Sequence, residues 1–349
     1  MILDAISKAV DMKDLTREEA SLVMEEIMSG KATDSQIASF LTALRIKNVT
    51  VEELIGFVKV MREKAESIPT KEKVTEGMSD TSREMLVDTC GTGGDARGTF
   101  NVSTATTFVV VGSGIRVAKH GNRSVSSFCG SADVIESLGI NLELNPEQVG
   151  RCIDEVGIGF LFAPLLHKAM KHVMTARKDI KIRTVFNILG PLTNPAKANA
   201  QLLGVFNGDL TEKMAYVLKE FDCKGALIVH GMDGLDEITN TSDTKITQLK
   251  DKKIKTFYVK PEDFGIERAS MQDIQGGDVK ENTKIILNIL KGKKGPKRDI
   301  VLLNAGAGIM VAGKAESIRE GINISEEVVD SGKAMEKLKK LIELSNKLK

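Results

Sequence analysis

The chain has 349 residues, of which 42% are apolar, and its 49 Lys and Arg nearly balance 48 Asp and Glu for a formal net charge of +1. That length allows two domains, or one large domain with a satellite. The balanced charge excludes a global field drawing the protein to nucleic acid or an anionic membrane, so any phosphate binding must be local.

Aromatic residues are 4% and Trp is absent, so the core must rest on Ile, Leu, Val, Ala and Met. Cys90, Cys129, Cys152 and Cys223 are widely spaced, with no CxxC pair, and indicate neither a zinc site nor a disulfide framework. Cys90 and Cys129 lie beside glycine motifs but read as small apolar filler rather than nucleophiles. The opening MILDAISKAV is amphipathic and short, unlike a secretion signal. No apolar run approaches the ~20 residues of a membrane span, and a reducing, cytoplasmic setting is expected.

Residues 1–66 read as helices. Thr16-x-x-Glu19 and Thr50-x-x-Glu53 are capping boxes ahead of apolar patterns at Leu22, Val23, Ile27 and at Leu54, Phe57, Val58, Met61. Thr33 or Asp34 caps the run Ile37, Phe40, Leu41, Leu44, which serves either the bundle's own core or a face for a partner subunit. Residues 67–84 are polar, with Pro69 and Gly77, and form a linker and plausible hinge. Beyond them, strands at 85–88, 115–118, 158–162, 202–206 and 226–230 alternate with helices near 103–112, 131–138, 146–156, 165–179, 211–221 and 279–291. The class is therefore α/β, with a mainly parallel central sheet. Residues 245–260 suggest an antiparallel hairpin turning at Asp251-Lys252-Lys253. The tail predicts a strand over Ile300–Asn304 and then helices, with Ser325-Glu326-Glu327 capping the last.

The chemistry concentrates between Val87 and Arg123. The apolar run Met85-Leu86-Val87 ends at Asp88; Gly91, Gly93, Gly94 and Gly98 then surround Asp95, and Ser103, Thr104, Thr106 and Thr107 lead into Phe108 to Val111. A second run, Ile115 to Ala118, ends in Lys119-His120-Gly121-Asn122-Arg123 and a Ser-rich loop. Glycines let successive backbone N–H groups face an anion at close approach. Hydroxyls entering a helix add donors at the positive end of its dipole, and Lys119 and Arg123 add full charge. The pattern is a polyanion site, though neither a GxxxxGK(S/T) loop nor a GxGxxG fingerprint. Asp95 beside a phosphate suits a ligand that also carries a hydroxyl or ammonium, or travels with Mg2+.

Downstream, a helix from Pro164 places His167, Met170, Met174 and Arg177 on roughly one third of its circumference. That stripe suits an aromatic carboxylate or, equally, a snorkelling surface arginine. GPLTNP, Gly190 to Pro195, reads as a double-proline turn outside regular structure, with Asn194 shaping a pocket wall. Asp236-Glu237 follows the strand that ends near His230. Adjacent carboxylates there suit Mg2+ beside a diphosphate, and otherwise are a plain surface pair.

GTGGD, NVST, KHGNR with SSxxGSAD after it, and GPLTNP further on together resemble the anthranilate phosphoribosyltransferase family over nearly the whole chain. The resemblance implies a nucleoside-phosphorylase fold: a small helical domain over 1–66 carrying a homodimer contact, and a large α/β domain over 85–349. It implies transfer of the phosphoribosyl group of 5-phosphoribosyl 1-pyrophosphate to the amine of anthranilate in tryptophan biosynthesis, with Mg2+ as cofactor. Phosphoribosyl pyrophosphate would meet Gly91, Gly93, Gly94, Asp95, Thr99, Asn101, Val102, Ser103 and Thr104. It would also meet the second loop, from Lys119 through His120, Gly121, Asn122, Arg123, Ser124, Val125, Ser126 and Ser127 to Ser131. Anthranilate would meet Gly91, His120, Asn122, His167, Arg177, Gly190 and Pro191, with Arg177 on its carboxylate. Ser103, Asp236 and Glu237 would hold the metal. Two positions depart from the family pattern, where prolines are replaced by Lys168 and near Thr175.

An aromatic amine is already a nucleophile, so no activated Ser, Cys or Lys is required, and none is evident. His120 is either a contact for the aromatic substrate or an acid–base group. Two other readings make distinct demands. A pyrimidine-nucleoside phosphorylase should carry a KHSTGG-type loop, which is absent. A non-catalytic nucleic-acid-binding homologue should show a basic groove and loss of Arg177, Asn122 and GPLTNP.

Overall fold

The computed structural model describes residues 1–71, 85–93, 97–123 and 129–349. Most of the expected linker therefore lies outside the described residues, as do Gly94, Asp95, Ser124, Val125, Ser126 and Ser127.

Four helices open the chain: α1 (Ile2–Val10), α2 (Arg17–Met28), α3 (Asp34–Lys47) and α4 (Val51–Lys64). Thr16, Thr33 and Thr50 each accept the backbone N–H three residues on, and Glu19, Gln36 and Glu53 return a bond to the cap. Each such cap contributes about 1 kcal/mol, and for α3 the cap is Thr33 rather than Asp34. Ile37, Phe40, Leu41 and Leu44 are no more than 2% exposed, with Phe40 edge-on to Phe57 at 6.1 Å. Of the two roles expected for that run, it fills the bundle's core.

Seven strands follow: β1 (Leu86–Gly91), β2 (Arg116–Gly121), β3 (Ile158–Phe162), β4 (Ala200–Gly204), β5 (Gly225–Gly231), β6 (Thr244–Lys250) and β7 (Lys253–Val259). They form one sheet in the order β3-β2-β1-β4-β5-β6-β7. The first five pair in parallel and the last two antiparallel. Asp251 and Lys252, at φ of 50° and 60°, close the final hairpin, since positive φ at both central residues matches the strand twist. Side chains alternate between two cores. Val87, Leu202, Leu227 and Val229 face a core built with α5 (Val102–Gly112), α7 (Pro146–Val156) and the C-terminal helices α12 (Val279–Leu290), α13 (Pro296–Val311), α14 (Ile318–Asp330) and α15 (Lys333–Lys347). Cys90, Leu203, Ala226 and Ile228 face the other, which α1 to α4 share with α9 (Lys171–Ile180), α10 (Val185–Leu192) and α11 (Leu210–Glu220).

Several local expectations are corrected. Ile300–Asn304 is helical, inside α13; a helix buried on all sides shows no 3.6-residue polar period, so its apolar run mimics a strand. Ser325 lies inside α14, donating to Gly321 O at 2.8 Å, while Ser317 caps that helix and Gly332 is the N-cap of the last one. The helix expected over 165–179 breaks at His167 (φ −117°) into α8 (Ala163–Leu166), a 3-10 turn and α9, so His167 leaves the stripe carrying Met174 and Arg177. Gly190, Pro191 and Leu192 form the last turn of α10, and only from Thr193 does GPLTNP leave regular structure. Strand β2 continues through Lys119 and His120 because both pair with β3. Strand β4 begins two residues early, with Ala200 already paired to Val87. Where α13 and α14 cross, Gly306 faces Gly321 so closely that a Cβ on either would meet the backbone of the opposite helix.

Candidate active site

The parallel strands bring the ends of β1, β2, β4 and β5 to one edge of the sheet. After β1, Thr92 is tied to the end of β4: its N–H donates to Gly204 O (2.9 Å) and its hydroxyl accepts the Phe206 N–H (3.1 Å). Gly93 (φ 65°) then turns its N–H to Asp236 Oδ2 at 3.0 Å. Gly91 is required for space, since a Cβ there would lie 2.6 Å from the same oxygen. Glu237 Oε1 accepts the Ser103 N–H at 3.1 Å in the first turn of α5, where the helix dipole favours a carboxylate. The acidic pair from the β5–β6 connection is thus folded onto both the glycine loop and the helix start. Buried Asn304 of α13 anchors it: Oδ1 accepts the Ile238 N–H and Nδ2 donates to Ile238 O, both at 2.9 Å. The sequence reading passed over Asn304, whose only signal was a polar residue in an apolar run.

Lys119 is 2% exposed. Its Nζ donates to Thr89 O (2.5 Å) and to Ser103 Oγ (3.3 Å). Burial pulls its pKa down, opposed by Asp88, Cys90, Glu237 and Asp236. It is a cation set beneath Ser103, not a surface arm. Arg123 is engaged elsewhere: Glu136 (2.8 and 3.1 Å) and Asp133 (2.9 Å) hold it against α6 (Ser131–Ser137) and raise its pKa. The Asn122 carbonyl accepts the Ser131 hydroxyl at 3.3 Å, and a Cβ on Gly121 would collide with Ser131 and Phe160. Thr99 bridges Gln275, and Asn101 is bonded to Cys129 O and Asn282. Val102 and Thr104 bury their side chains; the Val102 N–H goes to Phe100 O, and the Thr104 hydroxyl meets no partner among the described residues. Arg183, which the sequence reading did not single out, stacks on Phe206 at 4.6 Å, beside the Thr92–Phe206 bond. A lone loop arginine carries no pattern to find it by.

Next to this edge two imidazoles meet at a tilt. The His120 and His167 rings lie 5.0 Å apart at 42°, and neither Nε2 has a partner among the described residues. Burial, then His167, pulls the His120 pKa down to about 3, against a backbone hydrogen bond to Gly190. Burial pulls His167 down to about 4. Both are neutral at pH 7. A Cβ on Gly190 would meet nothing within 4 Å, so the last turn of α10 borders open space. Pro191 is buried, its carbonyl accepting the Gln201 amide at 2.7 Å. Arg177 stacks 5.6 Å from the ring of Phe186 in α10, has its pKa lowered by burial, and takes no carboxylate partner among the described residues.

No three His, Cys, Asp or Glu side chains converge on a metal among the described residues. Asp236, Glu237 and Ser103 offer oxygen donors only, which fits a hard cation that completes its shell with water and phosphate rather than an all-protein cage. Among the described residues no helix is long and apolar enough to cross a membrane.

Comparison with known proteins agrees along the whole chain. Residues 3–65 match the helical bundle domain of a glycosyl transferase family and residues 83–335 its a/b domain. The anthranilate phosphoribosyltransferase of Geotalea uraniireducens is 51% identical, covering 99% of this chain and 100% of its own length. The crystal structure of the enzyme of that name from Thermus thermophilus superposes with a TM-score of 0.90 at 39% identity, covering 98% of this chain and 99% of its own. That from Saccharomyces cerevisiae, in complex with PRPP and Mg, gives 0.88 at 27% identity, over 99% and 98% of the two chains. The chain belongs to the anthranilate phosphoribosyltransferase family.

Proposed function

We propose that this protein transfers the phosphoribosyl group of 5-phosphoribosyl 1-pyrophosphate to the amine of anthranilate, giving N-(5-phosphoribosyl)anthranilate and pyrophosphate. The observation that carries this reading is the Asp236–Glu237 pair folded onto Gly91, Gly93 and the start of α5, over buried Lys119. In the reaction the C1–O bond to pyrophosphate breaks, the N–C1 bond forms, and the nitrogen gives up one proton. An aromatic ammonium is acidic enough to lose that proton to water, so the chain needs no strong base. Asp236, Glu237 and Ser103 would hold Mg2+, which when bound supplies charge neutralisation for the departing pyrophosphate. The Gly93 loop and Lys119 orient and neutralise the diphosphate, a contribution that is largely positional and electrostatic. His120, His167 and Gly190 would form an uncharged wall for the aromatic ring. Arg177, which takes no carboxylate partner among the described residues, would receive the substrate's carboxylate.

The same reading makes the protein a cytoplasmic homodimer. Leu3, Val10, Leu22 and Ile46 of α1 to α3 are exposed apolar residues, a surface that a second copy would cover. It also separates a helical domain (1–66) from the α/β domain (85–349).

Anthranilate fluorescence followed with phosphoribosyl pyrophosphate and Mg2+, with and without EDTA, tests the activity. Decay that EDTA arrests is expected. No decay from the folded protein would refute it.

A further inference from the structure

Strands β1 and β2 each span six residues, yet only Leu86↔Arg116 and Val87↔Val117 pair. Above that point two side chains replace the backbone ladder. Asp88, fully buried, accepts the His120 N–H on Oδ1 (3.2 Å) and the Asn194 amide on Oδ2 (2.9 Å). Asn194, 7% exposed, gives its Nδ2 also to Ala118 O (2.9 Å) and accepts the Ala196 N–H on Oδ1 (2.9 Å). Three segments are joined through this pair: the strand that carries the glycine loop, the strand that carries His120, and the turn after α10. The His120 ring lies against the Gly190 backbone, and its Nε2 is buried without a partner among the described residues.

A gap filler would be apolar. Buried polar groups persist at such a point only when each is satisfied, and a satisfied network fixes one geometry. Without it, the strands would have to close up and continue their ladder, or leave the Ala118 carbonyl and the His120 N–H buried and unpaired. Either change would move His120 relative to Gly190.

We propose that Asp88 and Asn194 are a positioning pair that holds β1 and β2 apart at the sheet edge and aims the His120 ring at the amine-bearing substrate. The proposal rests on the reading that His120 and Gly190 face anthranilate. The side-chain polar atoms of both members are already bonded within the protein, so the pair acts through His120.

The chemistry of the pair supplies its own control. Asn194→Asp sets a carboxylate against Asp88 and against the Ala118 carbonyl. In the exchange Asp88→Asn with Asn194→Asp, the amide at 88 donates to the carboxylate at 194 and still accepts the His120 N–H, so the carboxylate–carboxylate contact is removed and only the contact of the 194 carboxylate with the Ala118 carbonyl remains unfavourable.

The test is steady-state kinetics on the full chain, with thermal melts, for Asn194→Ala, Asn194→Asp and the double exchange. The single variants are expected to raise the anthranilate KM about tenfold or more, with the phosphoribosyl pyrophosphate KM within about twofold. The double exchange should recover part of the loss seen in Asn194→Asp, severalfold in the anthranilate KM. Equal changes in both KM values, or a double exchange no better than the single variants, would overturn the proposal. Should those variants fail to fold, Asn194→Ser, which retains one donor, must still raise the anthranilate KM selectively, and an unchanged value refutes the pair's role. Absence of turnover in the unaltered protein would instead refute phosphoribosyl transfer, and the proposal with it.

Discussion

Gly91→Ala separates the requirements of folding from those of the site. Gly91 ends β1 with a φ outside the left-handed region, so alanine suits its backbone. The added Cβ would sit 2.6 Å from Asp236 Oδ2 and 3.3 Å from Asp236 Cγ, while its next neighbour, Gly204 O, is at an ordinary 3.5 Å. The clash is with the end of a flexible side chain, which rotates away at small cost to the fold. In rotating, Asp236 loses the Gly93 N–H, now 3.0 Å away. A hydrogen bond to a charged group contributes about 1.5–3 kcal/mol. If that geometry is needed in the transition state, kcat/KM should fall about 10- to 100-fold. The half-saturating Mg2+ concentration should rise with it, while the melting temperature moves by only a few degrees. The assay is anthranilate fluorescence across a Mg2+ titration, beside a thermal melt. Activity within about twofold and an unchanged Mg2+ response would refute the steric argument, because the carboxylate would then have no required place.

Arg177→Ala should raise the anthranilate KM by one to two orders of magnitude, roughly the loss of a charge-assisted pair, and leave the phosphoribosyl pyrophosphate KM unchanged; equal effects on both would point to helix packing instead. Glu237→Gln keeps the shape but weakens both the metal and the Ser103 bond, so the Mg2+ dependence should shift to higher concentration, as titration of activity and of metal binding by calorimetry would both register. His167 is neutral when folded, with a pKa of about 4 against 6.5 unfolded. The unfolded chain therefore binds more protons between those values, and the stability present above pH 6.5 drains away as pH falls toward 4. At pH 5 the loss is about 2 kcal/mol. Melts at pH 7.5 and 5 should show it for the unaltered protein and less of it for His167→Asn; identical pH responses would contradict the burial argument.

Much of this was legible in the residues. Caps declare themselves locally, because Thr-x-x-Glu satisfies orphan N–H groups within one turn; Thr16 and Thr50 were found that way. The hairpin at Asp251-Lys252 and the α/β alternation are equally local. The glycine loop, the KHGNR segment and the DE pair were visible as chemistry, since glycine spacing and clustered charge have few other uses. What periodicity could not resolve was any element buried on all sides. The α13 helix read as a strand over Ile300–Asn304 for that reason, and the break at His167 leaves no mark in a stripe of apolar residues.

Only the tertiary structure decided which charges are available. Lys119 and Arg123 look alike in sequence, yet Lys119 is buried beneath Ser103 while two carboxylates of α6 hold Arg123. Asp236 lies 143 residues from Gly93 along the chain, and becomes its partner only because β5 and β1 flank β4 in the sheet. The local chain dictates caps, turns and residue chemistry, because those bonds close within a few residues. Strand order dictates which distant groups share one edge, and there burial and neighbouring charge decide the state and partner of each.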